Sequence, residues 1–249
     1  MKGPSMARLS THHRIVDGTL IIDLGTRMRV LSSAPRGGGL RTTRYILNHQ
    51  VLPHSVGPKT TGPNTSQQCW GNPAGYLRQI ELAAGVDGDC VGLMTAVPMK
   101  QLVTSHESED GIWVECYATV GVTNAVRAGE PPRYAAGQGN DPAPGTINLI
   151  LITNACLAAS AHVGAVQVAT ESKTGVLRDH AVLSWTGRPG ATGTGTDAVV
   201  VACAMRGKAP WTPYAGTHTV IGSMIGRVIA DCLCQGLRRA TQWAAQLRP

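Results

Sequence analysis

Apolar and polar positions change period repeatedly along this chain, and each change marks an element. Residues 14–22 set two apolar runs on either side of Asp17-Gly18, the pattern of a tight β-hairpin. Further strands are expected over residues 29–33, 45–52, 90–97 and 112–120. The last of these is led by Asp110-Gly111 and is rich in β-formers. Residues 146–153 (TINLILIT) and 198–204 (AVVVACA) are unbroken apolar runs of strand length, which predicts buried strands. Asn72-Pro73 opens a helix, with Asn as cap, Pro at the first helical position and Gly85 as its stop. Leu77, Ile80, Leu82 and Ala84 give that helix an apolar side. A second helix is expected from 155 to about 177. A third runs from 217 to about 247, with Arg238, Arg239 and Arg248 near its negative end. Residues 53–69 and 129–145 are dense in Pro and Gly and read as loops.

Strands come first, followed by strand–helix and strand–helix. That order predicts an α/β (α+β) layered sandwich, a mixed β-sheet with packed helices. Residues 1–11 read as a flexible tail, with His12 and His13 at its edge, and residues 12–249 as a single domain. The 129–145 loop could divide the chain, but each half alone is short of core.

Composition narrows the class. There is no Phe and aromatic residues are only 4%, so the core must be built from Val, Ile, Leu, Ala and Met. The formal net charge is +7, but the basic residues are scattered, with no Lys/Arg run and no basic–aromatic interleaving. No nucleic-acid partner is therefore expected. The N-terminus lacks an apolar leader and no apolar stretch is long enough to span a membrane. A cytoplasmic protein without a membrane partner is the expectation. Seven Cys without any CxxC pair suggest buried free thiols and no structural zinc site; no metal is expected, although His49, His218, Glu171 and Asp197 are the residues that could assemble one. The oligomeric state cannot be read from the chain.

Generic motifs fail. The P-loop, HExxH and GxSxG patterns are all missing. Gly193-Thr194-Gly195-Thr196-Asp197-Ala198 has the letters of a dinucleotide fingerprint, but it precedes a strand instead of opening a helix. Eight polar–glycine clusters remain, each at the end of an apolar element. They are VLSSAPRGGG (30–39), NHQV (48–51), GLMTA (92–96), TVGVTNA (119–125), GTIN (145–148), ATESK (169–173), ATGTGTD (191–197) and YAGTHT (214–219).

In this order and spacing, from about 29 to about 227, the clusters resemble the adenosylcobinamide amidohydrolase family. Ser172 and Val122-Thr123 depart from the family pattern. The resemblance implies a hydrolase that cleaves the amide joining aminopropanol to the corrin ring of adenosylcobinamide. The products would be adenosylcobyric acid and (R)-1-amino-2-propanol, returned to cobalamin biosynthesis as cobinamide salvage. The corrinoid is then a substrate, and no cofactor is implied; the alternative is a non-catalytic corrinoid-binding carrier or sensor, or an amidase with another substrate.

Amide hydrolysis needs an activated nucleophile, donors for the oxyanion and an acid for the leaving amine. Asp197 and Glu171 are the carboxylates available for activating water or orienting a His. His49 and His218 are the candidate proton carriers. Thr194 and Thr196 are candidate nucleophiles or anion-loop donors, with Ser32, Ser33 and Thr146 as further hydroxyls, although direct water attack is favoured. Asn48, Asn124, Asn148, Ser32, Ser33, Lys173 and Thr196 are the expected substrate-binding residues, since carboxamide side chains suit a corrin rim covered with carboxamides. A structural role as turn, cap or core residue competes with each.

Overall fold

A computed structural model describes residues 11–51, 71–86, 89–131, 145–207 and 209–246. Among the described residues twelve strands occur in chain order: β1 His12–Val16, β2 Thr19–Ser32, β3 Gly39–Gln50, β4 Cys90–Thr95, β5 Val103–Glu109, β6 Ile112–Val120, β7 Ala125–Val126, β8 Ile147–Thr153, β9 Cys156–Leu157, β10 Gly193–Thr194, β11 Ala198–Cys203 and β12 Trp211–Thr212. The helices are α1 Pro73–Ala83, α2 Ala159–Asp179 and α3 Val220–Gln246.

One sheet of eight strands holds the fold, in the order β4-β3-β2-β11-β8-β6-β5, with β1 also paired to β2. It is mixed. The β8–β11 and β3–β4 pairs are parallel, and the other pairs in the sheet are antiparallel. The β2–β3 ladder loses register between Asp23 and Met28. That irregularity lets the long hairpin fold back on the sheet. Leu20, Ile22, Ile46, Val91 and Leu93 then share one core with Tyr117, Ile150, Ile152, Val200 and Ala202.

Strand alternation assigns the other faces. Val114, Cys116, Leu149, Leu151 and Val201 pack under α2 and α3, against Ala165, Ala169, Met224 and Val228. On the far side Ile21, Leu47 and Cys90 pack with Ile80 and Ala84 of α1. The result is helix, sheet, sheet, helix: the layered mixed α/β sandwich expected from the element order. Asn72 caps α1 as its sequence predicts, with Oδ1 accepting from Gly75 N at 2.9 Å. The Asp17-Gly18 hairpin turn is also present, both residues having positive φ.

Three expectations are corrected. His12 and His13 do not belong to a tail but begin β1. Thr11 is anchored as well: its hydroxyl donates to Glu115 Oε2 at 2.6 Å and lies 2.7 Å from Tyr117 Oη. Strand β5 (VTSHESE) escaped notice because it is a polar edge strand, paired only with β6. Residues 220–242 are long and apolar enough to cross a membrane, with mean hydropathy 1.4, contrary to the reading above. In the fold 56% of that window is buried, and Ile221, Met224, Ile225, Val228 and Ile229 belong to the sheet-facing core. The expected tail through residue 10 and most of both predicted loops lie outside the described residues.

Two buried imidazoles make stability depend on pH. His49 is 8% exposed and His162 is 1% exposed. Burial lowers both from 6.5 to about 4, with the Arg29 charge adding to the effect at His162. Between those values the unfolded chain takes up protons that the folded chain does not. The stability conferred by the neutral rings is complete above about pH 6.5 and is lost as pH falls towards 4. Urea unfolding is expected to show stability declining from pH 7 to pH 4.5, by up to about 3 kcal/mol per ring. A flat profile across that window contradicts this.

Candidate active site

Parallel strands β8 and β11 begin at the same end of the sheet, with Ala198 opposite Asn148. Strand β6 ends there, Thr119 facing Asn148, and the folded-over strands β3 and β4 bring Asn48 and Thr95 to the same place. Alternation along β8 and β11 divides the polar residues between two faces.

The helix-side face holds Asp197. Lys173, reaching down from α2, donates to its Oδ2 at 2.5 Å, and Thr194 N donates to the same oxygen at 3.0 Å. Its Oδ1 accepts from Thr194 Oγ1 at 2.5 Å and from Ile147 N at 3.0 Å. The two ion-paired side chains are 9% and 11% exposed. A carboxylate with four donors is committed to holding the 193–197 loop against the start of β8. Gly193 is required in that loop, because a Cβ there would meet both Asp197 Oδ2 and Lys173 Nζ. Asp197 and Lys173 therefore position the site, which corrects the expectation that Asp197 activates water and that Lys173 grips substrate.

The inner face opens between the two halves of the folded sheet. Here Thr146 Oγ1 lies 2.5 Å from Thr196 Oγ1, and Thr196 Oγ1 donates to the Gly145 carbonyl at 3.2 Å. Since Thr196 donates to Gly145, Thr146 is left as the donor to Thr196, and the three groups form a relay. Thr196 is exposed and Thr146 is 6% exposed, so the relay reaches the surface of the mouth. One step deeper, Asn148 Nδ2 donates to Asn48 Oδ1 at 2.9 Å and to the Met94 carbonyl at 2.8 Å. Asn48 Nδ2 donates in turn to Thr119 Oγ1 at 3.1 Å. Asn148 Oδ1 is buried and has no donor. Asn124 Oδ1 is likewise buried without a donor, and lies where a Cβ on Gly145 would approach it at 2.6 Å. Two free carboxamide acceptors thus flank the hydroxyl relay.

The other expected residues fall elsewhere. His49 follows Asn48, and that single step turns it to the opposite face. It lies under α1, with Nδ1 2.8 Å from Thr19 Oγ1 and Nε2 3.0 Å from Tyr76 Oη. Glu171 is two residues from Lys173 on α2 and so points away from it. It lines a cleft of about 290 Å³ between α2 and α3 with Thr217 and Arg227. His218 is exposed in the turn before α3, next to Thr217. Neither joins the mouth, so His218→Ala and Glu171→Gln are expected to leave kcat/KM and its pH profile unchanged. A lost limb in either profile contradicts that placement. Ser32 accepts from Ala34 N at 2.9 Å and Ser33 from Val199 N at 3.0 Å, so both hydroxyls serve the turn that leaves β2.

Thr119 was missed as a site residue, and Thr146 was ranked below water. Only the β6–β8–β11 register, which pairs Thr119 with Asn148 and aligns Thr146 with Thr196, brings them forward. Among the described residues no group of three or more His, Cys, Asp or Glu side chains could hold a metal ion. The described cysteines are buried except Cys234; burial raises the thiols of Cys90 and Cys203, and a hydrogen bond with Cys116, together with burial, raises that of Cys232.

The mouth thus combines a surface-reaching hydroxyl relay with two free carboxamide acceptors on a layered α/β fold. The chain belongs to the adenosylcobinamide amidohydrolase family, whose model matches residues 5–245. An adenosylcobinamide amidohydrolase of Methanosarcina mazei is 30% identical over 232 residues, covering 90% of this chain and 96% of that protein. An uncharacterised protein of Methanocaldococcus jannaschii is 29% identical over 235 residues, covering 88% and 85%. Among solved structures, a beta-aminopeptidase of Burkholderia sp. superposes with a TM-score of 0.42 at 12% identity, over 96% of this chain and 81% of that one.

Proposed function

We propose that this protein hydrolyses the amide joining aminopropanol to the corrin ring of adenosylcobinamide, with Thr146 as nucleophile. The products are adenosylcobyric acid and (R)-1-amino-2-propanol, and the role is cobinamide salvage for cobalamin biosynthesis. The observation that carries the reading is the Thr146–Thr196 hydroxyl pair, standing in the mouth of a chain whose family is named for this amide hydrolysis. Neither His49, His218, Glu171 nor Asp197 has a proton acceptor free at the mouth, which moves the balance from direct water attack to a hydroxyl.

In the first step Thr146 Oγ1 bonds to the amide carbon and gives its proton through Thr196. The C–N bond breaks and the amine leaves carrying that proton. Water then attacks the Thr146 ester, releasing the acid and restoring the hydroxyl. Asn124 Oδ1 and Asn148 Oδ1 are acceptors for N–H and O–H groups of the substrate.

Incubation with adenosylcobinamide and hydroxylamine tests this. Aminopropanol should appear, with the corrinoid divided between acid and hydroxamate in proportion to hydroxylamine. Failure to release amine would reject the substrate. Amine accompanied only by acid, at every hydroxylamine concentration, would reject the ester.

A further inference from the structure

The hydroxyl relay at the mouth ends on a carbonyl of the chain itself. Thr146 Oγ1 is 2.5 Å from Thr196 Oγ1, and Thr196 Oγ1 donates at 3.2 Å to the carbonyl of Gly145, the residue immediately before Thr146. One hydroxyl thus bridges the oxygen of Thr146 and the carbonyl oxygen of the peptide bond that precedes it. A threonine hydroxyl that attacks the preceding carbonyl closes a five-membered ring of Oγ1, Cβ, Cα, N and the carbonyl carbon. Both sides of the Gly145–Thr146 bond are held in place. The Thr146 carbonyl accepts from Gly121 N at 3.0 Å, and Ile147 N donates to Asp197 Oδ1 at 3.0 Å. At Gly145 a Cβ would stand 2.6 Å from both Asn124 Oδ1 and Thr123 Oγ1 and 3.0 Å from Thr123 N. Glycine fits there where a larger residue would push the 123–124 turn aside, and it leaves the carbonyl without a side chain to crowd it.

We infer that the chain cleaves its own Gly145–Thr146 peptide bond, so that a second fragment begins at Thr146. Thr146 Oγ1 bonds to the Gly145 carbonyl carbon, and its proton passes through Thr196 to the Gly145 oxygen. As the C–N bond breaks, that proton moves to Thr146 N and the carbonyl re-forms as an ester between Gly145 and Thr146. Water reaches the mouth at the exposed Thr196 and attacks the ester. The products are a Gly145 carboxylate, a restored Thr146 hydroxyl and a free α-amine on Thr146, with one water consumed. An α-amine, with an ordinary pKa of about 8, is then a base on the same residue as the nucleophile. It supplies the proton acceptor that His49, His218, Glu171 and Asp197 do not bring to the mouth. That consequence rests on the amide-hydrolysis reading, whereas the cleavage itself rests only on Thr146 and its neighbours.

Mass spectrometry of the purified full chain, with sequencing of the N-termini, tests the proposal. Two fragments are expected, residues 1–145 and 146–249, the second beginning Thr-Ile-Asn, and their masses together should exceed that of the uncut chain by one water. Thr146→Ser should divide at the same bond, and Thr146→Val should remain whole. Thr196→Val leaves the attacking oxygen in place and should slow division of freshly synthesised chain at least about tenfold. A native chain that stays whole, or a Thr146→Val chain divided at the native rate, would overturn the proposal. Aminopropanol release from adenosylcobinamide, read on the same samples, keeps the two readings apart. A divided chain that leaves adenosylcobinamide intact supports self-cleavage and defeats only the substrate assignment. A whole chain that releases aminopropanol defeats self-cleavage alone.

Discussion

Thr146→Val is expected to lower kcat on adenosylcobinamide by about three orders of magnitude or more while the protein stays folded. Valine keeps the shape and β-branching of threonine at the start of a strand, so the backbone has no reason to move. What is lost is the oxygen that forms the ester and the donor to Thr196. Thr146→Ser keeps both and should retain much of the activity. Thr196→Val should cost less than Thr146→Val, since it removes the proton's route and not the attacking atom. Steady-state kinetics with matched unfolding curves separates these outcomes. A Thr146→Val enzyme that turns over at the native rate would remove Thr146 from the chemistry.

The second large effect is on stability. Asp197→Asn is expected to lower the unfolding free energy by about 3–5 kcal/mol, because it leaves the nearly buried Lys173 ammonium without its counter-charge. The neutral amide also presents an NH₂ group to donors that a carboxylate accepts from, Thr194 and Ile147 among them. Activity should fall with the loop that Asp197 holds. Lys173→Met added to Asp197→Asn removes the orphaned charge and should recover a good part of the loss. Denaturant titrations of both variants decide the matter. A fully stable Asp197→Asn with lost turnover would instead make Asp197 a group that acts on the substrate.

Much of the fold was legible because its central strands are buried on both faces. TINLILIT and AVVVACA carry no polar alternation to confuse them, and they became β8 and β11. Strand β5 was opaque for the opposite reason. An edge strand with half-exposed residues has little apolar period to read. At the site, the glycine–threonine loop before β11 pointed to Asp197, Thr194 and Thr196. Sequence adjacency could not show that Asp197 and Thr196 face opposite sides of the sheet, one towards Lys173 and the other towards Thr146. The same single-residue step separates His49 from Asn48. Pairing of residues roughly fifty or a hundred positions apart, such as Thr146 with Thr196 or Asn48 with Asn148, depends on register that only the folded sheet supplies.

The most direct test is chromatography of purified native protein and Thr146→Val, each incubated with adenosylcobinamide. The native chain should release adenosylcobyric acid and aminopropanol in equal amounts, and the variant should leave the substrate intact. An unchanged amide in the presence of native protein, or equal product from both, would contradict the account.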